Sequence, residues 1–547
     1  MRNSRSLHAV DAARRPIAAT IAAPEPRMDA RSLRLSLSAC LFVVVAACAS
    51  SPPRVDKPES TAVIPVAETP ATEYVTAEEQ AQPAGHSGFR LLTRATNALM
   101  SRVALADQAA RSIDVQTFIF NDDATGRLVA GHLLDAADRG VRVRLLVDAI
   151  DSPDPDLFDA LDAHGNIEVR LFNPFGSRDP GLLSTMGQML LEFSRLNRRM
   201  HNKSFIVDNH VAIIGGRNIG DEYFDASEGS NFRDLDLLAI GPVVRDASHA
   251  FDTYWNDEAA VPASAYGSRH NDAGGLADLR GRLEKNARRF ERSDYAEAVV
   301  AELPHGATEV RKGEWFWGPA ELVADQPEKV EATVDQPGLR IGPRLRELLD
   351  SARSEVLLTS PYFVPGEADV AHLLSLAARG VKVGVLTNSL ASTDHATVHG
   401  AYAGRRRPLL EGGVRLFELK PRPDAAPSEA VEASGSDVAL HAKSFVVDRR
   451  HVFVGSLNMD QRSQLLNTEM GIIVDNPALA QAVADFFASA TAPANAYEVV
   501  VEKPGADLRW ITEEGGQRVA LPREPEAGLR RRVKALLTRL LPVDNLL

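Results

Sequence analysis

Two short segments of the 547-residue chain carry a histidine and a lysine two positions apart, His201-Asn202-Lys203 and His441-Ala442-Lys443. Each leads into an apolar run ending in aspartate, Ser204-Phe205-Ile206-Val207-Asp208 in one copy and Ser444-Phe445-Val446-Val447-Asp448 in the other. Small residues and an asparagine follow: Gly215, Gly216 and Asn218, then Gly455, Ser456 and Asn458. Alternate residues of a strand share a face, so each copy presents an imidazole and an ammonium on one side. Two imidazoles, two ammoniums and two amides suit a cation poorly, because the lysines repel it and no carboxylate cluster accompanies them. They suit a phosphodiester. One imidazole can attack phosphorus while the other protonates the departing oxygen, and the cations stabilise charge on the equatorial oxygens. The glycines and Ser456 allow close backbone approach to such an oxyanion, and Asn218, Asn458 and Ser456 are the neutral phosphate-binding candidates.

The repeat is larger than the motif. His132-Leu133-Leu134 and Arg139-Gly140-Val141 return as His372-Leu373-Leu374 and Arg379-Gly380-Val381 at the interval that separates the two histidines, and Val169-Arg170-Leu171-Phe172 returns as Val414-Arg415-Leu416-Phe417 with a small shift. A spacing of this size implies a tandem duplication of one module, giving two homologous lobes, each with its own core. Strands over Arg111 to Phe120 and Val141 to Asp148, separated by a helix containing His132, form a βαβ pattern, so the lobes are α/β.

Both segments resemble the phospholipase D superfamily, whose pattern is His-x-Lys, then Asp, then Gly-Gly/Ser-x-Asn. Leu196 to Lys203, Gly215 to Gly220 and Leu466 to Gly471, together with the tail Leu540 to Val543 and Leu546-Leu547, are similar to the bacterial cardiolipin synthases, most nearly their C type. The resemblance implies two phospholipase D-like lobes, each a mixed β-sheet flanked by helices, sharing one active site at their interface. It implies His201, Lys203, Asp208, His441, Lys443 and Asp448 as the catalytic signature, one histidine becoming a phosphohistidine and the other acting as acid and then base; by position His201 is the nucleophile and His441 the acid and base, with the reverse order open between near-equivalent lobes. It also suggests Asp234 as the orienting acceptor for His201 and Glu469 as that for His441, since a nucleophilic imidazole needs its far nitrogen held. Asp208 and Asp448 begin turns, where aspartate bonds to backbone amides, and are expected to be structural members of the signature. No metal or other cofactor is implied.

The implied activity is transfer of a phosphatidyl group from phosphatidylethanolamine or phosphatidylglycerol to a second phosphatidylglycerol, forming cardiolipin. A phospholipase D that hands the group to water uses the same residues. A nuclease is disfavoured by the net charge of −13, since binding to a polyanion runs on Lys and Arg. A non-catalytic lipid-binding lipoprotein is disfavoured by two intact motifs. The need for a partner protein is left open.

Arg31-Ser32-Leu33-Arg34 precedes an apolar run ending Val45-Ala46-Ala47-Cys48, a short signal-type segment with a bacterial lipobox. Cys48 is therefore the lipidation candidate, Met28 the expected start, and Met1 to Arg27 over-called sequence. Cys40 and Cys48 are the only cysteines, so the mature domain contains no disulfide. The expected location is the bacterial cell envelope, on a membrane facing the periplasm, with inner and outer membranes both open. The expected divisions are 1–48 signal, 49–88 disordered tether, 89–257 lobe one, 258–337 inter-lobe segment, 338–500 lobe two and 501–547 a C-terminal extension. Within them, Leu182 to Met200 and Leu529 to Leu541 combine apolar and basic residues at helical spacing, which favours an anionic membrane surface or docking on the body. Leu276 to Arg292 reads as a charged helix, Trp315-Phe316-Trp317 as an aromatic run packed on the lobes or resting at a lipid interface, and Arg422 to Ser436 as a mobile loop near the second motif that gates the site or is merely tolerated.

Overall fold

Short strands alternate with helices along the described chain. The computed structural model describes residues 55–150, 155–175, 193–266, 270–302, 314–333, 336–423, 431 and 435–538. Lobe one contributes β1 (His86–Leu92), β2 (Ser112–Thr117), β3 (Arg142–Asp148), β4 (Ile167–Phe172), β5 (Ser204–Val207), β6 (Val211–Gly215), β7 (Ser230–Arg233), β8 (Asp236–Ile240) and β9 (Ala260–Pro262). After β10 (Phe316–Ala324), lobe two contributes β11 (Glu355–Thr359), β12 (Phe363–Val364), β13 (Lys382–Asn388), β14 (Arg415–Leu419), β15 (Asp437–Leu440), β16 (Ser444–Val447), β17 (His451–Gly455), β18 (Met459–Asp460) and β19 (Met470–Asp475). Strands β20 (Ala496–Val501), β21 (Leu508–Glu514) and β22 (Gln517–Leu521) extend that edge.

The two lobes repeat one topology. In lobe one β2, β3 and β4 are parallel, β5 runs antiparallel to β2, and β6, β8 and β1 follow as antiparallel neighbours. In lobe two β11, β13 and β14 are parallel, β16 is antiparallel to β11, and β17, β19 and β10 follow. The repeated Arg-Gly-Val strings end the crossover helices Ala124–Asp138 and Glu367–Ala378: Gly140 and Gly380 adopt φ of 94° and 88°, the left-handed conformation that closes a helix without a Cβ penalty. Val141 and Val381 then bond back to Ala136 and Leu376 and enter β3 and β13.

The lobe boundary differs from the expected one because β10 pairs on both sides. Phe316 to Pro319 pair with β1, and Ala320 to Ala324 pair with β19, as β1 pairs with β8 in lobe one. The inter-lobe segment thus supplies the first strand of lobe two and joins both sheets into one of 18 strands. The expectation of a separate core for each lobe is also modified. Outer layers are separate, but the central layer mixes Phe89, Ile206 and Leu237 with Leu357, Val446 and Val454 in one apolar cluster, because both sheets turn an apolar face to the seam.

The tether expected to be disordered over 49–88 is ordered on the body from Val55. Its carbonyls at Pro58, Ser60 and Thr61 accept hydrogen bonds from Arg170, Arg144 and Arg142, and Pro70–Gln80 is helical with Thr69 as its cap. Composition hid this, since the partners are backbone carbonyls rather than apolar side chains. The charged helix spans Ala273–Phe290 and docks through Leu279 and Leu283. Trp315, Phe316 and Trp317 pack on the body, Trp315 under the guanidinium of Arg90 at 4.1 Å. Cys48, most of Leu182 to Met200 and most of Arg422 to Ser436 lie outside the described residues.

Candidate active site

His201 and His441 end the loops that enter β5 and β16, and the two lobes bring them to one seam. His201 is 8% exposed, His441 5%, and Lys203 and Lys443 are buried beside them. Each ammonium is tethered by its own motif: Lys203 Nζ donates to His201 O at 2.6 Å and Lys443 Nζ to His441 O at 2.5 Å. Both histidines feel the positive charge of both lysines, which places the four groups in one site.

The orienting carboxylates are crossed between the lobes. His201 Nδ1 donates to Glu469 Oε2 at 2.8 Å, and His441 Nδ1 to Asp234 Oδ2 at 2.6 Å. The pairing expected from the sequence, Asp234 with His201 and Glu469 with His441, is therefore reversed. The cause is strand pairing across the seam. β7 of lobe one runs parallel to β15 of lobe two with Arg233 beside Leu440, so the next residues, Asp234 and His441, meet. On the other side Met200 bridges Thr468 in parallel, so His201 and Glu469 meet. With both Nδ1 atoms engaged, Nε2 of each ring is the nitrogen left for chemistry.

The surroundings set the charge states. Burial, with the charges of Lys203, Lys443 and His441, holds His201 well below its ordinary range, and burial and Lys443 take His441 to about 4 against the pull of Asp234. Burial also lowers Lys203 well below the usual lysine range and Lys443 to about 8. Asp234 is kept at about 2 despite its burial, because His441, Lys443 and Arg217 favour its anion. Glu469 is pushed up to about 7 by burial that Lys203 offsets only in part. Both imidazoles are thus neutral nucleophiles or bases in the empty site. A phosphodiester anion arriving among the two imidazoles and two lysines favours their protonated forms, which makes an imidazolium acid accessible.

Three sequence-derived assignments change in detail. Asp208 accepts from the backbone N–H groups of Ala110, Arg111 and Ser112, and Asp448 from those of Arg353, Ser354 and Glu355, at the far ends of β5 and β16. They tie loops, as their position after the strands suggested, and are not part of the catalytic group. Ser456, a phosphate-binding candidate, gives its hydroxyl to Glu469 Oε2 at 2.5 Å and so holds a carboxylate. Its counterpart Gly216 lies against Asp234, where a Cβ would stand 2.2 Å from Oδ1. Asn218 and Asn458 are buried, and Asn218 Oδ1 accepts from Ile119 N–H at 3.2 Å while its amide also bonds the Tyr223 hydroxyl.

Several supporting residues are not singled out by the sequence motifs. Asp325, just past β10, takes Glu469 N–H on Oδ2 at 2.8 Å and returns its own N–H to Glu469 O at 2.8 Å. Lys329, fully buried, donates to the same Oδ2 at 2.6 Å. Arg199, the second residue before His201, is locked to Asp148 at the end of β3. Phe118 stands edge-on to His201 at 5.2 Å, and Tyr223 and Phe232 lie against His441 at 5.2 and 5.0 Å. An apolar strand followed by Asp and, four residues on, Lys was the visible trace of the Asp325–Lys329 pair.

Comparison with known proteins identifies the family. The family described as cardiolipin synthase, PLD-like domain, matches residues 103–255 and 345–491, one match per lobe. Cardiolipin synthase C of Escherichia coli K12 is 39% identical over 85% of this chain and 97% of its own length. Cardiolipin synthase A of Pseudomonas aeruginosa is 28% identical over 72% of this chain and 68% of its own. The crystal structure of phosphatidylserine synthase from Haemophilus influenzae superposes with a TM-score of 0.51 at 13% identity, covering 85% of this chain and all of that one, and so shares the fold. Two matched lobes, two complete His-Lys motifs and near full-length identity converge: the chain belongs to the cardiolipin synthases of the phospholipase D superfamily, enzymes of the phosphatidyltransferase type.

Proposed function

We propose that the protein forms cardiolipin by moving a phosphatidyl group from one phospholipid to the glycerol hydroxyl of phosphatidylglycerol. The observation that supports this most is the pair of buried imidazoles, each with Nδ1 held by a carboxylate of the opposite lobe. In the first step His201 Nε2 bonds to phosphorus, the bond from phosphorus to the head-group oxygen breaks, and a proton from His441 Nε2 goes to that oxygen. Lys203, Lys443, Asn218 and Asn458 stabilise the charge that builds on the equatorial oxygens. In the second step neutral His441 takes the proton of the incoming hydroxyl, its oxygen bonds to phosphorus, and the phosphorus–nitrogen bond breaks. The donor is phosphatidylethanolamine or a second phosphatidylglycerol. The test is lipid analysis of a host lacking cardiolipin that expresses this chain. Appearance of cardiolipin is the expected result, and phosphatidic acid alone would identify a hydrolase instead.

The same reading puts the enzyme at a bacterial envelope membrane facing the periplasm, anchored by acyl chains on Cys48. No helix among the described residues is long and apolar enough to cross a membrane. The helix Leu529–Thr538 turns Ala535 onto Gly400 and leaves Leu529, Val533, Leu536 and Leu537 exposed beside Arg530 and Lys534. An exposed apolar row with basic neighbours fits the surface of an anionic bilayer, and with the acyl chains it supplies the two signals that stable anchoring requires. Cys48→Ser together with Leu536→Asp should release the protein to the soluble fraction at high salt. Retention of that double variant on the membrane would overturn this attachment.

A further inference from the structure

The mouth of the site differs between the lobes at one matched position. Thr117 Oγ1 donates to Ile119 O at 2.8 Å, and Ser360 Oγ donates to Tyr362 O at 2.8 Å. The next residues also match, since Phe120 bridges Ile219 and Phe363 pairs with Met459, both in parallel. Ile119 and Tyr362 therefore occupy matched places, although only Ile119 gives its N–H to an asparagine, Asn218. On lobe one the matched position is apolar, Ile119 following Phe118, which stands against His201. On lobe two it is polar. Tyr362 donates its hydroxyl to Asp394 Oδ2 at 2.6 Å, and the His395 ring packs edge-on to Tyr362 at 5.6 Å with Nε2 3.6 Å from the same carboxylate oxygen. Both residues stand open to solvent in part, at the end of the turn that follows β13.

We propose that Tyr362, Asp394 and His395 form the subsite for the hydroxyl-bearing glycerol head group of the acceptor lipid. This rests on the reading of the enzyme as a phosphatidyltransferase in which His441 handles the proton of the incoming alcohol, and it places that alcohol on the same side of the mouth. Tyr223 and Phe232 wall His441 from lobe one, so an acceptor reaching its Nε2 passes the polar rim of lobe two. A glycerol head offers hydroxyls that both donate and accept. Asp394 supplies an acceptor for them and His395 a ring that offers both a donor and an acceptor, whereas an ammonium needs acceptors alone. Arg531 of the helix Leu529–Thr538 holds the turn by donating to Thr393 O at 2.5 Å and Leu390 O at 3.2 Å, so the proposed lipid-facing helix braces the subsite.

The test uses the full chain in mixed micelles with a phospholipid donor and equal concentrations of glycerol, 1-propanol and ethanolamine as competing soluble acceptors, with each phosphatidyl product and phosphatidic acid quantified. The wild-type protein should favour glycerol over 1-propanol. Asp394→Asn should lower that ratio on the order of tenfold, the scale of one charged hydrogen bond, while phosphatidic acid continues to form. Tyr362→Phe should lower it less, and Asp394→Glu should restore part of it. A ratio unchanged in both Asp394→Asn and Tyr362→Phe overturns the subsite. Ethanolamine favoured over glycerol in the wild type and lost in Asp394→Asn also overturns it, in favour of an ammonium site. No phosphatidyl product of any kind from the wild-type protein overturns the functional reading itself, and this inference with it.

Discussion

The two lobes present the same histidine and lysine just ahead of the same strand, yet they hold them by different means. The ring of His441 leans on Asp234, an anion kept at about 2 by surrounding positive charge, with Gly216 pressed against the carboxylate. The ring of His201 leans on Glu469, which burial raises to about 7 and which depends on Ser456, Asp325 and Lys329 for its hydrogen bonds and charge. A duplicated motif has thus acquired one permanently charged support and one that titrates near neutrality. The difference teaches that near-identical catalytic residues are assigned separate tasks by what stands behind them.

The comparison breaks at once if the lobes do not share one site. His201→Ala and His441→Ala should each lower phosphatidyl transfer by at least about a thousandfold, the upper part of the range for acid–base and nucleophilic roles. Near wild-type turnover in either, measured on purified protein, would mean that one lobe works alone. Lys203→Ala and Lys443→Ala should each cost about a hundredfold, as for loss of a transition-state charge contact.

Exchanging the supports sharpens the comparison. Gly216→Ala drives a methyl into Asp234 and should reduce activity by roughly tenfold or more, since an orienting partner of a catalytic histidine is displaced. Ser456→Gly, which makes lobe two resemble lobe one, removes one hydrogen bond to Glu469 and should cost less. Equal effects in kcat assays would show that the two carboxylates are not held differently.

The pH profile reads the same contrast more gently. Glu469 loses its charge as pH falls through about 7, so the acceptor for His201 weakens below that value and the rate should fall with it. Lys329 favours the Glu469 anion, so Lys329→Met should move this acid limb to higher pH. Glu469→Gln should abolish the limb in the residual activity, whereas Asp234, at about 2, should contribute no limb above about pH 3.

The smallest effects are expected on the outer sheet faces. Arg170 is buried under the N-terminal segment and donates to Pro58 O and Trp255 O, while its counterpart Arg415 stands exposed at the edge of an open cleft of about 560 Å³ with Glu498. Arg170→Ala should cost about 2 kcal/mol in urea unfolding and Arg415→Ala less than about 0.5 kcal/mol. Similar values would mean that the N-terminal segment adds little to lobe one.

What could be read from the sequence was local. The His-x-Lys pairs stand out by spacing alone, although they precede β5 and β16 rather than lie on them, and Gly140 and Gly380 mark helix ends whichever fold contains them. The fold and both motifs were legible for that reason, aided by the family resemblance. The crossed carboxylates were not, because Asp234 and His441 are 207 residues apart and meet only through the β7–β15 pairing. The N-terminal segment was misread because its Pro- and Thr-rich composition is that of a tether, whereas its attachment runs through carbonyls that every residue carries. Asp325 and Lys329 were missed because neither lies near a motif in the chain.

Strand β10 carries a mechanical consequence. One continuous strand bonds half its length to each lobe, so no hinge separates them, and a clamshell opening would tear nine residues out of two ladders. The halves should melt together in a single calorimetric transition. A lipid must therefore enter through side-chain movement at the rim, and turnover should be insensitive to agents that slow large interdomain motion, such as viscogens acting on the bulk phase.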